Sequence, residues 1–158
     1  MLGKITGNKH ARETGLLALH AFGHSQIVTA AVKQLTNRRR PVALDGSAGF
    51  WNGGDSFPSD HASTTFAVAT VFAYEYRHHP WVPVVAYTVA SSVAVSRVVA
   101  QRHWLSDIAV GGSAGFLVGR YVYKRHHDPT LPGSVVARNR LVPEVSLDHA
   151  TAAFTWQF

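Results

Sequence analysis

Ser96-Arg97-Val98-Val99-Ala100-Gln101-Arg102-His103-Trp104-Leu105-Ser106-Asp107 joins two apolar segments through a short polar turn. Its spacing is Ser-Arg, five residues, His, three residues, Asp. His103 and Asp107 therefore fall four apart, where side chains on one helix face meet. Two upstream segments carry what such a pair would need. The first is Lys33, six residues, then Arg40-Pro41; the second is Phe57-Pro58-Ser59-Asp60-His61. Together they supply three cations, two histidines and a carboxylate. That set suits gripping a phosphoryl group and attacking it without a metal, because phosphoryl transfer demands positioning and charge neutralisation above all.

Working outward, Leu16 to Gln34 is rich in Ala, Leu, Ile and Val, which predicts a helix. It should run to about Thr36 and stop before Pro41, since the residue preceding proline is disfavoured in the helical region. Residues 41 to 58 hold four glycines and two prolines and read as a loop. Ser59 or Asp60 then caps a helix from about His61 to Tyr76. His78-His79-Pro80 breaks it, and helices follow from about Val82 to Ala100 and from Leu105 to Tyr123. Gly111 and Gly112 would let the last helix pack closely.

These elements predict an all-α helical bundle over residues 10–125, followed by an irregular tail over 126–158. Phe154, Trp156 and Phe158 alternate at a period of two, which predicts a short terminal strand in that tail. The same aromatic end is found on outer-membrane barrels, but no other strands are predicted that would close one.

At 158 residues the chain is one domain with enough length to bury a core. It is 46% hydrophobic and only 15% charged, poor in charge for a soluble domain. Its formal net charge of +6 favours anionic partners such as phosphates and acidic lipid surfaces. Nucleic acid is a charge-only alternative with no recognisable motif, and none is expected as a partner. The absence of cysteine excludes disulfides, thiolate metal sites and a cysteine nucleophile. No apolar core of a signal peptide is visible before Arg12. Gly15–Val32 and Pro80–Ser96 are uncharged stretches of borderline membrane-spanning character.

The three segments in this order resemble the signature of the type 2 phosphatidic acid phosphatase superfamily, which includes the vanadium haloperoxidases. That signature is Lys-x6-Arg-Pro, then Pro-Ser-Gly-His, then Ser-Arg-x5-His-x3-Asp. Every position matches except the glycine, which is Asp60 here. Pro-Ser-Asp-His is similar to the version in bacterial undecaprenyl diphosphate phosphatases. The resemblance implies a helical bundle of the acid phosphatase/vanadium haloperoxidase type, shortened at its N-terminus. It also implies a bacterial inner-membrane location with an outward-facing site; a soluble periplasmic protein is the alternative.

On this resemblance His103 is the nucleophile that forms a phosphohistidine. Asp107 would accept a hydrogen bond from the far nitrogen of its ring and support the developing cation. His61 is the general acid that protonates the departing oxygen and then activates water. Lys33, Arg40, Ser59, Asp60 and Arg97 bind the phosphate, with Arg97 offering a planar fork and Ser59 a hydroxyl at a helix N-terminus. Asp60 adds negative charge beside an anion, unless it points away or pairs with Arg38, Arg39 or Arg40.

No cofactor and no metal are implied. The substrate would be a lipid phosphate or polyprenyl diphosphate, with a membrane surface as a partner. A vanadate-dependent haloperoxidase-like enzyme and an inactive shortened fragment stand as alternatives. Of the three consecutive arginines, only Arg40 is assigned to the pocket; Arg38 and Arg39 are read as surface. His78-His79 and His126-His127 are adjacent pairs that do not share a helix face, and no spacing matches a zinc site. His20 and His24 read as buried or interface histidines. Trp51, Trp81 and Trp104 mark either a membrane interface or the core.

Overall fold

A computed structural model describes residues 9–43 and 49–127, and the backbone of residues 144–148 and 151–155. Four helices dominate: α1 (Lys9–Thr36), α2 (Asp60–Glu75), α3 (Trp81–Val99) and α4 (Leu105–His126). The all-α bundle expected from the sequence is the observed architecture. A 3₁₀ turn over Pro41–Ala43 interrupts the long connection between α1 and α2.

Helix ends follow local chemistry. Asn37 stops α1 in a left-handed conformation (φ 41°), and its N–H donates to the Lys33 carbonyl at 3.0 Å. Ser59 caps α2, its Oγ accepting from the Ala62 N–H, while Asp60 places a carboxylate in the first turn. The Asp107 carboxylate reaches back to the Trp104 N–H at 2.9 Å and closes the start of α4. α1 begins at Lys9 rather than at Leu16. Residues 9–15 contain no proline and include good helix formers, and His10 gains a partner on α2, so polarity alone did not mark the boundary.

α2 is the central helix; it packs against α1, α3 and α4, most extensively against α4. α1 runs antiparallel to it, as the Lys33–Asp60, Ser25–Ser63 and His10–Glu75 contacts show. α4 runs parallel to α2, along a seam built from absent side chains. A Cβ on Gly111 would lie 2.7 Å from the Ser59 carbonyl oxygen, on Gly115 2.0 Å from that of Ser63, and on Gly119 2.4 Å from that of Ala67. This four-residue repeat of glycine lets two backbones touch, as small residues do between helices in membranes. Gly111 packs as its sequence suggested, whereas Gly112 faces the Phe66 ring.

The interior is correspondingly thin: Leu17, Ala21, Ala67, Val71, Val122 and Tyr123 form the apolar cluster. Much of the apolar surface points outward instead, including Leu19, Ile27 and Leu35 on α1 and Val84, Val89 and Val99 on α3. α1 and α3 are both long and apolar enough to cross a membrane, and few of their residues are buried.

The C-terminal region departs from the irregular tail that was expected. β1 (Glu144–Asp148) pairs antiparallel with β2 (Thr151–Thr155), Glu144 opposite Thr155 and Asp148 opposite Thr151. The sequence signalled one strand. Phe154 lies in β2; Trp156 and Phe158 lie outside the described residues.

Candidate active site

All three sequence segments converge at one end of the bundle. Lys33 is in the last turn of α1, Arg40 follows it in the connection, and Ser59 to His61 open α2. Arg97 is in the last turn of α3, and His103 and Asp107 flank the start of α4. A cavity of about 230 Å³ lies between them, lined by Arg40, Asp60, His61, Arg97, Arg102 and His103.

His103 is buried at 4% exposure, and its Nδ1 is 2.7 Å from the Ser56 carbonyl oxygen. A carbonyl only accepts, so in the neutral ring Nδ1 carries the proton and Nε2 keeps the lone pair. The expected acceptor was Asp107. Its Oδ2 stands 3.7 Å from Nδ1, so the backbone of Ser56 fixes the tautomer and the carboxylate sits behind it. This inserted carbonyl comes from the loop before α2, which no helical spacing rule would place there.

Asp107 is fully buried. Its carboxylate accepts from Arg38 Nη1 at 2.5 Å, from Ser56 Oγ and from the Trp104 N–H. Burial pushes its pKa up, but the His103 ring, the Ser56 hydroxyl, the Trp104 amide and the Arg38 charge together hold it below the ordinary carboxylate value.

Arg38 corrects the sequence reading, which left it on the surface. It is 8% exposed, donates also to Ser106 Oγ at 2.7 Å, and lies over the rings of Phe50 and Trp104. The left-handed turn at Asn37 redirects the chain, so the first arginine after it points inward. Arg39 stays at the surface, with its Nε donating to the Asn52 carbonyl. Nothing in the run Arg38-Arg39-Arg40 distinguishes these fates.

The remaining cations are held by carboxylates of opposite reach. Arg40 grips Asp55 as a fork, at 2.8 and 2.7 Å. Burial of Asp55 would raise its pKa, yet Arg40 and Lys33 bring it below its usual value. Lys33 Nζ bonds Asp60 at 2.6 Å. Asp60 therefore pairs with a cation, as its position required, but with Lys33 rather than with an arginine, and Lys33 does not line the cavity. Ser59 is wholly buried as the cap of α2 and does not line the cavity either.

Arg97 pairs with no carboxylate among the described residues; its Nε reaches only the neighbouring Ser96 Oγ at 3.3 Å. His61 is exposed into the cavity mouth. Partial burial and the Arg97 charge lower its pKa from 6.5, opposed by Asp60. Arg102, which the motif spacing passes over, also lines the cavity. Its only sequence signal is adjacency to His103.

A family model for the PAP2 superfamily matches residues 14–130. Among curated proteins, the chain is 45% identical over 120 residues to "Lipid A 1-phosphatase" of Porphyromonas gingivalis, covering 68% of this chain and 27% of that protein. It is 31% identical over 114 residues to "Phosphatidylglycerophosphatase B" of Bacillus subtilis, covering 66% of this chain and 54% of that one. The chain thus spans about a quarter and about half of these relatives. Among solved structures it is similar to a transmembrane PAP2 type phosphatidylglycerolphosphate phosphatase from Bacillus subtilis. That match has a TM-score of 0.54 and 28% identity, and covers 68% of this chain and 56% of the other.

Proposed function

The chain belongs to the PAP2 superfamily, and from that premise we propose that it hydrolyses a lipid phosphate through a phosphohistidine on His103, with no metal ion in the reaction. The observation that carries this is a buried histidine whose Nδ1 is engaged by the Ser56 carbonyl, which leaves Nε2 for a cavity walled by three arginines and a second histidine. Nε2 attacks phosphorus and the bond from phosphorus to the lipid oxygen breaks, while that oxygen takes the proton of His61. Water then loses a proton to neutral His61 and attacks the phosphohistidine, which releases inorganic phosphate and restores both rings. Arg40, Arg97 and Arg102 stabilise the equatorial oxygens as charge builds. Asp107, anchored by Arg38 and Ser56, supports the imidazole as it becomes cationic.

The substrate reading rests on the fold's surface as well as on its site. Exposed apolar side chains along α1 and α3 fit helices embedded in lipid, so a lipid-borne phosphate reaches the site from the membrane itself. The names of both curated relatives fit a phosphate carried on a lipid. A polyprenyl diphosphate remains the finer alternative within this class. The site end would face outward, a placement tested by Asn52→Cys in this cysteine-free chain and labelling of intact cells with an impermeant maleimide.

The decisive experiment measures phosphate release from a phosphatidylglycerol phosphate, a lipid A 1-phosphate and a polyprenyl diphosphate in excess EDTA. Activity that survives EDTA and disappears in His103→Ala supports the mechanism, and the preferred substrate ranks the lipids. A folded native chain that releases nothing from any of the three would overturn the proposal.

A further inference from the structure

The trough between α2 and α3 continues beyond the cavity. On α2, Thr64, Thr65, Val68 and Phe72 follow His61 at helical spacing, so they extend the face that presents it. On α3, Ala90, Ala86 and Val82 lie on the same face as Arg97, toward the start of the helix. The two helices run antiparallel: Arg97 meets His61 at the cavity, and the Tyr87 hydroxyl is 3.1 Å from Thr70 Oγ1. Between these faces lies a groove of about 400 Å³. It starts one helical turn from His61 and ends at Phe72 and Trp81.

The groove has little to offer a polar guest. Thr64 and Thr65 supply the hydroxyls of its wall, and both are partnered. Thr65 Oγ1 donates to the His61 carbonyl at 2.6 Å, and Thr64 Oγ1 accepts from Gln26 Nε2 at 3.0 Å. The rest of the wall is alanine, valine, Phe72 and Trp81. An apolar space of this kind stays dry and takes apolar guests. Val85, Val89 and Trp81 line it and remain exposed, so it opens along α3, a helix read as facing lipid.

Continuity with the cavity chooses the occupant. The joined spaces present arginines at one end and hydrocarbon along the rest, in the order of an amphiphile with an anionic head. A phosphate on a polar carrier would use the cavity and leave the groove empty, whereas a phosphate on a hydrocarbon chain fills both. From Thr64 to Phe72 the groove runs about 12 Å along the helix. Three bonds of an extended backbone span about 3.6 Å, so the groove takes a run of about ten bonds.

We propose that this groove binds one hydrocarbon chain of the substrate while its phosphate lies in the cavity, and that Phe72 and Trp81 set the reach at about ten carbons. The proposal rests on the phosphatase reading of the cavity and adds to it the site that recognises the lipid tail.

The test uses the full chain in detergent and n-alkyl phosphates from butyl to hexadecyl, with Ala86→Phe and Leu19→Phe beside the native chain. Ala86 is in the groove wall; Leu19 is exposed on α1, away from it. In the native chain kcat/KM should rise with chain length and level off near ten carbons. The added ring in Ala86→Phe fills the groove, so its loss should grow with chain length. For decyl phosphate it should reach at least about tenfold, the worth of two methylenes withdrawn from water. Leu19→Phe should keep the native profile. Partition of the alkyl chains into detergent is common to all three proteins and cancels. An Ala86→Phe profile parallel to the native one overturns the proposal.

Release from no member of the series counts against the phosphatase reading alone, and the groove is then judged by photolabelling. This needs neither turnover nor a variant, so it also decides the matter if Ala86→Phe does not fold. Decyl phosphate with a diazirine on its last carbon should label the native chain between Phe72 and Val82, and inorganic phosphate should compete. Label spread over α1 and α3 alike and indifferent to phosphate overturns the proposal. So does groove labelling that falls as protein concentration rises, because a second copy of the chain would then be the occupant.

Discussion

The two ends of this bundle bury charge in opposite ways. At the cavity end, arginines outnumber free carboxylates: Asp107, Asp55 and Asp60 each hold a cation, while Arg97 and Arg102 still face the cavity. At the far end Glu75 is held between His10 and His127, each at 2.8 Å. Asp107 and His127 lie twenty residues apart on or beside one helix, about 30 Å at 1.5 Å per residue, which is the thickness of a bilayer's hydrocarbon core. One end of the bundle turns arginines toward an open cavity, the other closes a glutamate between two histidines, and a seam of glycines joins the helices that carry them.

The sharpest way to break this comparison is to delete one histidine from each end. His103→Ala should lower kcat by about 10⁴-fold or more, the scale seen when a catalytic nucleophile is removed. His127→Ala should leave kcat within a few-fold in chains that remain folded and act on Tm instead. A large drop in kcat with an unchanged Tm in His127→Ala would join the two ends into one catalytic unit and refute the separation.

A smaller effect, on stability, separates Arg38 from Arg40. Arg38→Met leaves Asp107 buried without its cation and should cost about 3–5 kcal/mol, the usual penalty for breaking a buried pair from one side. Arg40→Met removes a partner from Asp55, a carboxylate whose side chain is 63% exposed, and should cost at most about 1 kcal/mol. Its loss should be read in KM, because Arg40 lines the cavity. Thermal melts of the two variants side by side check the ranking, and equal losses would refute it.

The seam joining the ends comes next. A methyl at Gly115 would lie 2.0 Å from the Ser63 carbonyl oxygen, so Gly115→Ala must push α2 and α4 apart. Overpacking of this kind costs about 1–3 kcal/mol. Because the shift also moves His103 relative to His61, kcat should fall along with Tm. Gly23→Ala, where a Cβ meets nothing within 4 Å, should do neither. A Gly115→Ala chain as stable and active as the native one would show that the helices do not touch there.

What was legible in the sequence divides along the same line. The cavity end is encoded in three short runs whose internal spacing is fixed by a helix turn or a cap, so Lys33, Arg40, His61, Arg97, His103 and Asp107 stood out. The helices followed from apolar runs bounded by Asn, Pro and Gly-rich breaks. What escaped was everything set by tertiary contact. Arg38 looks like its neighbours until Asn37 turns the chain. Ser56 engages His103 Nδ1 through a backbone carbonyl, which has no residue signature. The far cluster takes Glu13, Glu75 and His127 from positions separated by about fifty residues or more, so no local pattern marks it. Gly115 and Gly119 became significant only once a second helix lay against them.

The smallest effect concerns Asp60, where the cavity end carries a negative charge of its own. As the acid of the first step, His61 must be protonated, and its protonated fraction falls as pH rises through its pKa. That pKa lies below 6.5, through partial burial and the charge of Arg97. The basic limb of kcat/KM, which reports the free enzyme, should therefore descend below pH 6.5. Asp60 raises the His61 pKa, so Asp60→Asn removes that support and should move the limb to still lower pH. The substrate's own ionisation is common to both chains and cancels in the comparison. The same substitution releases Lys33 from its 2.6 Å pair and returns a positive charge to the neighbourhood of the anion, so KM should fall a few-fold. A limb that moves up, or a KM that rises, would mean that Asp60 works by orienting Lys33 rather than by restraining it. The anion-binding end would then depend on its carboxylates as much as the far end does.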